Sequence, residues 1–257
     1  MSLREQWVAF MTILRKEIKR YLRIWTQTLL PSAITMSLYF VIFGSLIGSR
    51  IGEMGGFTYM EFVVPGLIMM AIVTNSYANV VSSFFGSKFS HAVEELLVSP
   101  VSNVVILMGY VVGGVSRGLL VAVVVTLVSL FFTQLQIHSY FIVITVVLMT
   151  STLFSLAGFI NAVYANSFDD ISIVPTFVLT PLIYLGGVFY SMDLLPEFWA
   201  NVSKLNPLVY VVNAFRYGVL GVSDVSLTVA FGMIVFFTLL AFGFSMHLLN
   251  SGKRLRQ

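Results

Sequence analysis

The side chains that could do acid, base or metal chemistry are few and badly grouped for it. All eleven carboxylates lie outside the middle of the long apolar runs, and His91, His138 and His247 stand at or near run ends, where a loop or interfacial role is the ordinary one. There is no G-x-x-x-x-G-K-[ST] loop, no H-E-x-x-H pair and no G-x-S-x-G elbow. The pair Asp169-Asp170 lacks metal-ligand companions, and the absence of cysteine removes disulfides, thiolate metal sites and cysteine nucleophiles together. The expectation is a protein that is not an enzyme and binds no metal or cofactor itself.

A carrier driven by protons or sodium keeps an ionisable side chain near the bilayer midplane to hold its driving ion. No acid stands at such a position here, so energy for uphill movement is expected from a partner. Arg117 is the one charge inside an apolar run, and it reads as either a structural partner to a carbonyl or carboxylate or a lining group of a cavity. Asn75, Asn79 and Asn161 read as hydrogen-bonding glue between helices.

The elements that position these groups follow from composition. Of 257 residues, 58% are hydrophobic and 10% charged, with mean hydropathy +0.95, against roughly 25% charged in soluble chains. A water-soluble globule is excluded. Each helical crossing needs about 20 apolar residues, and six runs qualify: Trp25–Ile47, Phe62–Phe85, Val104–Phe132, Tyr140–Tyr164, Ile171–Tyr190 and Ser226–Leu248. The expected fold is all-α and polytopic, a single membrane domain over 1–257. Before the first run, Trp7, Phe10, Leu14, Ile18 and Tyr21 recur at helical steps with Arg4, Arg15, Lys16, Lys19, Arg20 and Arg23 on other faces. Residues 1–24 therefore read as an amphipathic helix in the interface. A signal peptide is disfavoured because the apolar run is too long for one.

Basic residues set orientation. With six crossings, the six amino-terminal cations, Lys88, Lys253, Arg254 and Arg256 share one side, against Arg50, Lys204 and Arg216 on the other. Both termini are expected in the cytoplasm. Residues 191–225 read as an external re-entrant or interfacial hairpin, because the stretch Leu205–Gly221 is short, carries Arg216 and opens with Asn206-Pro207, and a seventh crossing would push Lys253, Arg254 and Arg256 outside. Between the second and third runs, Phe89, Val93, Leu96 and Leu97 form one apolar helical face, with Lys88, His91 and Glu94 elsewhere and Pro100 ending the run. This reads either as a loop helix on the headgroups or as a docking peg for a cytoplasmic protein.

This order of parts resembles the membrane subunit of ABC-2 type ATP-binding-cassette transporters of the bacterial inner membrane. Phe62-Val63-Val64-Pro65-Gly66 is similar to the family's opening of the second span, and Glu94-Glu95-Leu96-Leu97-Val98-Ser99-Pro100 to the end of its coupling helix. Leu205-Asn206-Pro207-Leu208-Val209-Tyr210 followed by Phe215-Arg216 resembles its signature after the fifth span. The resemblance implies an export permease that works as a homodimer with two copies of a separate ATPase, which holds ATP and Mg²⁺. It further implies that Phe89, Val93, Glu94, Glu95, Leu96 and Leu97 sit in the ATPase groove. The partners implied are the lipid bilayer and that ATPase, with no nucleic acid. The other class of function to be weighed is a self-contained secondary carrier or channel.

Overall fold

The computed structural model describes residues 2–252 and is helical apart from one short β-hairpin. Lys253, Arg254 and Arg256, which entered the orientation count, lie outside the described residues. The first helix, α1 (Leu3–Arg23), is started by a reciprocal cap in which Ser2 Oγ accepts from Glu5 N–H and the Glu5 carboxylate accepts from Ser2 N–H at 2.8 Å. The next apolar stretch is broken into α2 (Trp25–Thr28), α3 (Leu30–Phe40), a π-helical segment Val41–Ile47 and α4 (Gly48–Ile51). Ile24, at φ −112° and ψ 37°, leaves helical geometry and forms a joint between α1 and α2.

Glu53–Met54 (β1) and Phe57–Thr58 (β2) pair antiparallel around Gly55-Gly56, both at positive φ. They lead into α5 (Tyr59–Phe89), the most enclosed long helix, buried from Phe62 to Lys88 along nearly every face. A link at Ser90-His91 turns the chain into α6 (Ala92–Val98), which is followed by α7 (Asn103–Ser129) and α8 (Tyr140–Tyr164). The rod after α8 is α9 (Asp170–Val174), a π-helical segment Pro175–Leu179 and α10 (Thr180–Tyr184), with Pro175 and Pro181 each withholding a backbone donor. Two shorter helices, α11 (Glu197–Ser203) and α12 (Pro207–Leu220), precede the last helix, α13 (Leu227–Ser251).

Trp25–Ile51, α5, α7, α8 and α13 are long and apolar enough to cross a bilayer. The rod Asp170–Tyr184 is shorter. At 1.5 Å per residue it covers about 22 Å against a hydrocarbon core of about 30 Å. The fold is an all-α polytopic membrane protein.

Glycines on α7 set the packing. Gly109 and Gly113 lie one turn apart, and a Cβ on either would come within 2.6 Å of Ile13 or Glu17 on α1. Gly114 and Gly118 clear the adjacent face for Ser155 and Val80 and for Ser76 and Ser151 respectively, from α8 and α5. Small residues at four-residue spacing let helix backbones approach closely where apolar burial cannot drive association. At the foot of the pair, Ser102 N–H donates to Gln6 Oε1 at 3.1 Å, across a separation of 96 residues. Ile13 with Gly109 and Glu17 with Gly113 keep that same offset, so α1 and the first half of α7 run side by side in one direction and in register.

The α11–α12 segment is similarly keyed. Ser139 N–H donates to Gly218 O at 2.8 Å and His138 N–H to Val219 O at 3.1 Å, so the C-terminal end of α12 is pinned beside the start of α8. Its N-terminal end, Pro207, borders a cavity shared with Tyr77, Leu153 and Phe154. Leu153 is fourteen residues along α8 by its bounds, so α12 spans about 20 Å of the depth of α8.

Candidate coupling surface and buried polar seam

The sequence grouped Phe89, Val93, Leu96 and Leu97 on one face, whereas the structure places Phe89 at the end of α5 and the others on α6. The change of direction is made at His91, whose φ of 59° is the left-handed conformation uncommon outside glycine. Val93 is 2% exposed and Leu96 and Leu97 pack partly buried against the core. Phe89, Glu95 and Val98 face outward, Val98 at 82% exposure, and the partly exposed Glu94 lies 3.2 Å from His91 Nδ1. α6 is therefore anchored by its apolar face and presents an acidic edge with one exposed valine.

Two contacts fix this surface to the loop between α8 and α9. Lys88 Nζ donates to Val163 O at 2.9 Å and Ala165 O at 2.8 Å, placing a cation on the carbonyls that end α8. Phe168 meets the rings of Phe85 and Phe89 at 5.0 and 5.1 Å. Asp170 holds the loop, accepting from the N–H groups of Asn166 at 2.9 Å and Ser167 at 3.2 Å.

Above this surface lies a seam that sequence reasoning missed. Glu17 is fully buried, with Oε1 accepting from Ser83 Oγ at 2.5 Å and Oε2 lying 3.4 Å from Arg20 Nη2. The same Arg20 nitrogen donates to Asn79 O at 2.8 Å and Asn79 Oδ1 at 2.9 Å. Lys16 Nζ and Tyr110 OH both reach Ser87 Oγ, at 3.3 and 3.1 Å. Glu17 is the one buried acid among the described residues. The available signal was Ile13, Glu17 and Tyr21 at steps of four, matching the Gly109/Gly113 stripe.

Arg117 is 8% exposed, and its Nη2 donates to Asn75 Oδ1 at 2.9 Å and Thr28 O at 3.5 Å. Asn75 Nδ2 in turn donates to Ser32 Oγ at 3.0 Å. This links α7, α5 and the start of the first crossing. Asn161 donates to Ile171 O at 3.2 Å, joining α8 to the rod.

The Asn206–Arg216 motif has a structural account. Asn206 caps α12 by accepting from Leu208 N–H at 3.0 Å and donates its amide to Leu182 O at 2.6 Å. Pro207 fills the first helical position, where no donor is needed. Tyr210 OH donates back to Lys204 O at 2.6 Å. Arg216 is fully buried, donates to Gly187 O at 2.6 Å and sits 3.9 Å over the ring of Phe62. Arg216, over Phe62, lies near the end of the fold opposite α6, while the capped start of α12 lies about halfway, beside Tyr77 and Leu153, so the structure does not bring these residues together with the α6 surface.

The sequence pattern of ABC-2 type transporters matches residues 8–220. The chain is 58% identical to the Inner membrane transport permease YadH of Escherichia coli (strain K12), over 97% of this chain and 98% of that protein. It is also 23% identical to Nodulation protein J of Neorhizobium galegae, over 98% and 94% of the two chains. Nodulation protein J of Rhizobium meliloti is 20% identical over 95% and 92%. With a family pattern covering most of its length and a near full-length relative at this identity, the chain belongs to the ABC-2 type transporter family, as a multi-pass inner-membrane permease subunit.

Proposed function

We propose that this permease exports its cargo by the power of a separate ATPase that docks on α6. Two copies of the chain form the pathway, two copies of the ATPase bind ATP and Mg²⁺, and both termini lie in the cytoplasm. The observation that carries this reading is the construction of α6: its apolar face is sunk into the bundle at Val93, while Glu94, Glu95, Val98 and the Phe89–Phe168 ring pair remain available outside. A helix held that way transmits a push instead of folding away from it. The chain contains no phosphate-binding loop of its own.

The rod Asp170–Tyr184, extended by the segment to Tyr190, serves as the fifth of six crossings, and α12 as a re-entrant limb. The pinning of Gly218 and Val219 beside Ser139 supports that limb. Rings of Tyr39, Phe43, Phe189 and Tyr184 lie in a chain of contacts between 4.7 and 6.2 Å that joins the first crossing to the fifth, an apolar wall suited to a pathway shared with a second copy.

Affinity purification of the tagged chain in mild detergent tests the reading. A P-loop ATPase is expected to co-purify, and Glu95→Arg with Val98→Asp is expected to release it without unfolding the permease. Transport by the purified chain alone in liposomes, driven by an ion gradient, overturns the proposal and favours a carrier. Glu17 is the residue such a carrier would use, and its engagement by Ser83 and Arg20 argues against a free ion site.

A further inference from the structure

α12 fills only part of the space between α5, α8, the rod and α13. From Gly218 and Val219, beside the start of α8, it runs back to Pro207, and past Pro207 a cavity of about 230 Å³ remains. Leu153 and Phe154 of α8, Leu179 and Leu182 of the rod and Ala241 of α13 form its walls, which expose no polar atom. Pro207 is the roof, held in place because its neighbour Asn206 donates to Leu182 O at 2.6 Å. The cavity is not sealed. Val178 and Leu240 both line it and are 49% and 58% exposed, so it is continuous with the apolar surface that meets the bilayer.

Depth decides from which side it fills. Leu153 stands eleven residues before the end of α8, which is about 16 Å. Along the rod the lining runs from Val174 to Leu182, about 6 to 18 Å from Asp170. The half of the hydrocarbon core on the α6 side is about 15 Å deep, so a lipid tail from that leaflet reaches the cavity. A tail from the opposite leaflet meets α12 first. Water finds no polar partner at such walls, and apolar cavities of this kind stay dry while taking up hydrocarbon. Left empty, the lining side chains forfeit dispersion contacts.

We propose that this cavity is a binding site for one acyl chain of a bilayer phospholipid from the α6-side leaflet, which completes the packing that α12 leaves open. Recognition is by the tail, so the headgroup is not selected. The inference rests on the reading of α12 as a limb that stops midway, and it asks nothing of the ATPase. It gives the short rod a lipid neighbour at its π-helical turn, Pro175–Leu179, where Val178 and Leu179 face the space.

Bromine on a lipid chain quenches tryptophan on contact, and the chain has only Trp7, Trp25 and Trp199 to replace by Phe. In that background Phe154→Trp places a buried reporter on the cavity wall, and Phe215→Trp a buried control on α12. Both are reconstituted in phosphatidylcholine brominated either near the end of one acyl chain or beside the headgroup. The end-brominated lipid is expected to quench the reporter and the other lipid to leave it bright, while the control stays bright in both. Phosphatidylethanolamine and phosphatidylglycerol brominated near the chain end should quench the reporter equally. Filling the cavity with Ala157→Phe and Ala241→Phe should abolish the quenching, and Ala241→Leu alone serves if that pair does not assemble. Leu153→Trp, buried on the same wall, replaces the reporter if Phe154→Trp does not fold. A reporter as bright as in unbrominated bilayers, quenching that survives the filled cavity, or equal quenching of the control overturns the site. Failure of the re-entrant reading would show separately, as shielding of Asn201→Cys from an external maleimide.

Discussion

Arg117 on α7 and Asn75 on α5 are joined by a 2.9 Å bond from guanidinium to amide oxygen, and through Asn75 the charge is tied to Ser32 at the entrance of the first crossing. The two residues are unequal partners. Removing the acceptor leaves a buried cation with less compensation, whereas removing the cation leaves only a neutral amide. Asn75→Ala is therefore expected to destabilise the detergent-solubilised protein by about 2 kcal/mol, and Arg117→Met by less. Thermal unfolding followed by intrinsic fluorescence gives the order, and a larger loss for Arg117→Met would contradict the account.

Asn206 works twice, as cap and as donor to Leu182. Asn206→Ala should cost about 1–2 kcal/mol through the lost cap and the orphaned carbonyl. Tyr210→Phe removes one bond and should cost about 1 kcal/mol. Both are read as lowered melting temperatures. A Tyr210→Phe protein less stable than Asn206→Ala would mean that the hairpin is held chiefly by its Lys204 closure.

Glycines of the same type are predicted to differ sharply. A Cβ at Gly158 would lie 2.5 Å from the main-chain oxygen of Tyr77, whereas at Gly232 nothing lies within 4 Å. Backbone cannot give way as a flexible side chain can, so Gly158→Ala should abolish assembly of α8 on α5. Gly232→Ala should stabilise α13 by up to about 1 kcal/mol. Size-exclusion profiles and melting temperatures of the two variants decide it.

Topology is testable by single-cysteine labelling from the outside of intact cells. Ser90→Cys, exposed beside α6, should be shielded from a membrane-impermeant maleimide. Gln134→Cys and Asn201→Cys, both exposed, should react. Ser87 is a poor reporter because it is buried under Lys16 and Tyr110. Reaction at position 90 with protection at 134 would invert the proposed orientation.

The sequence by itself determined the solvent and the architecture. A chain with so few charges and such long apolar runs must satisfy its backbone within helices in lipid, and that requirement acts locally, residue by residue. It also supplied the Asn206-Pro207 start of α12, since capping depends on neighbours two or three positions away. Tertiary structure alone decided which faces of those helices meet. Glu17 reads as one polar residue on a basic helix until Gly113, 96 positions later, removes the side chain that would have kept it in water. The Phe89–Leu97 face was misgrouped because a single left-handed residue, His91, ends one helix and starts another, and no periodicity crosses such a turn intact. Burial of a charge in this chain is settled by what the distant helix omits, and periodicity along one segment carries no record of that omission.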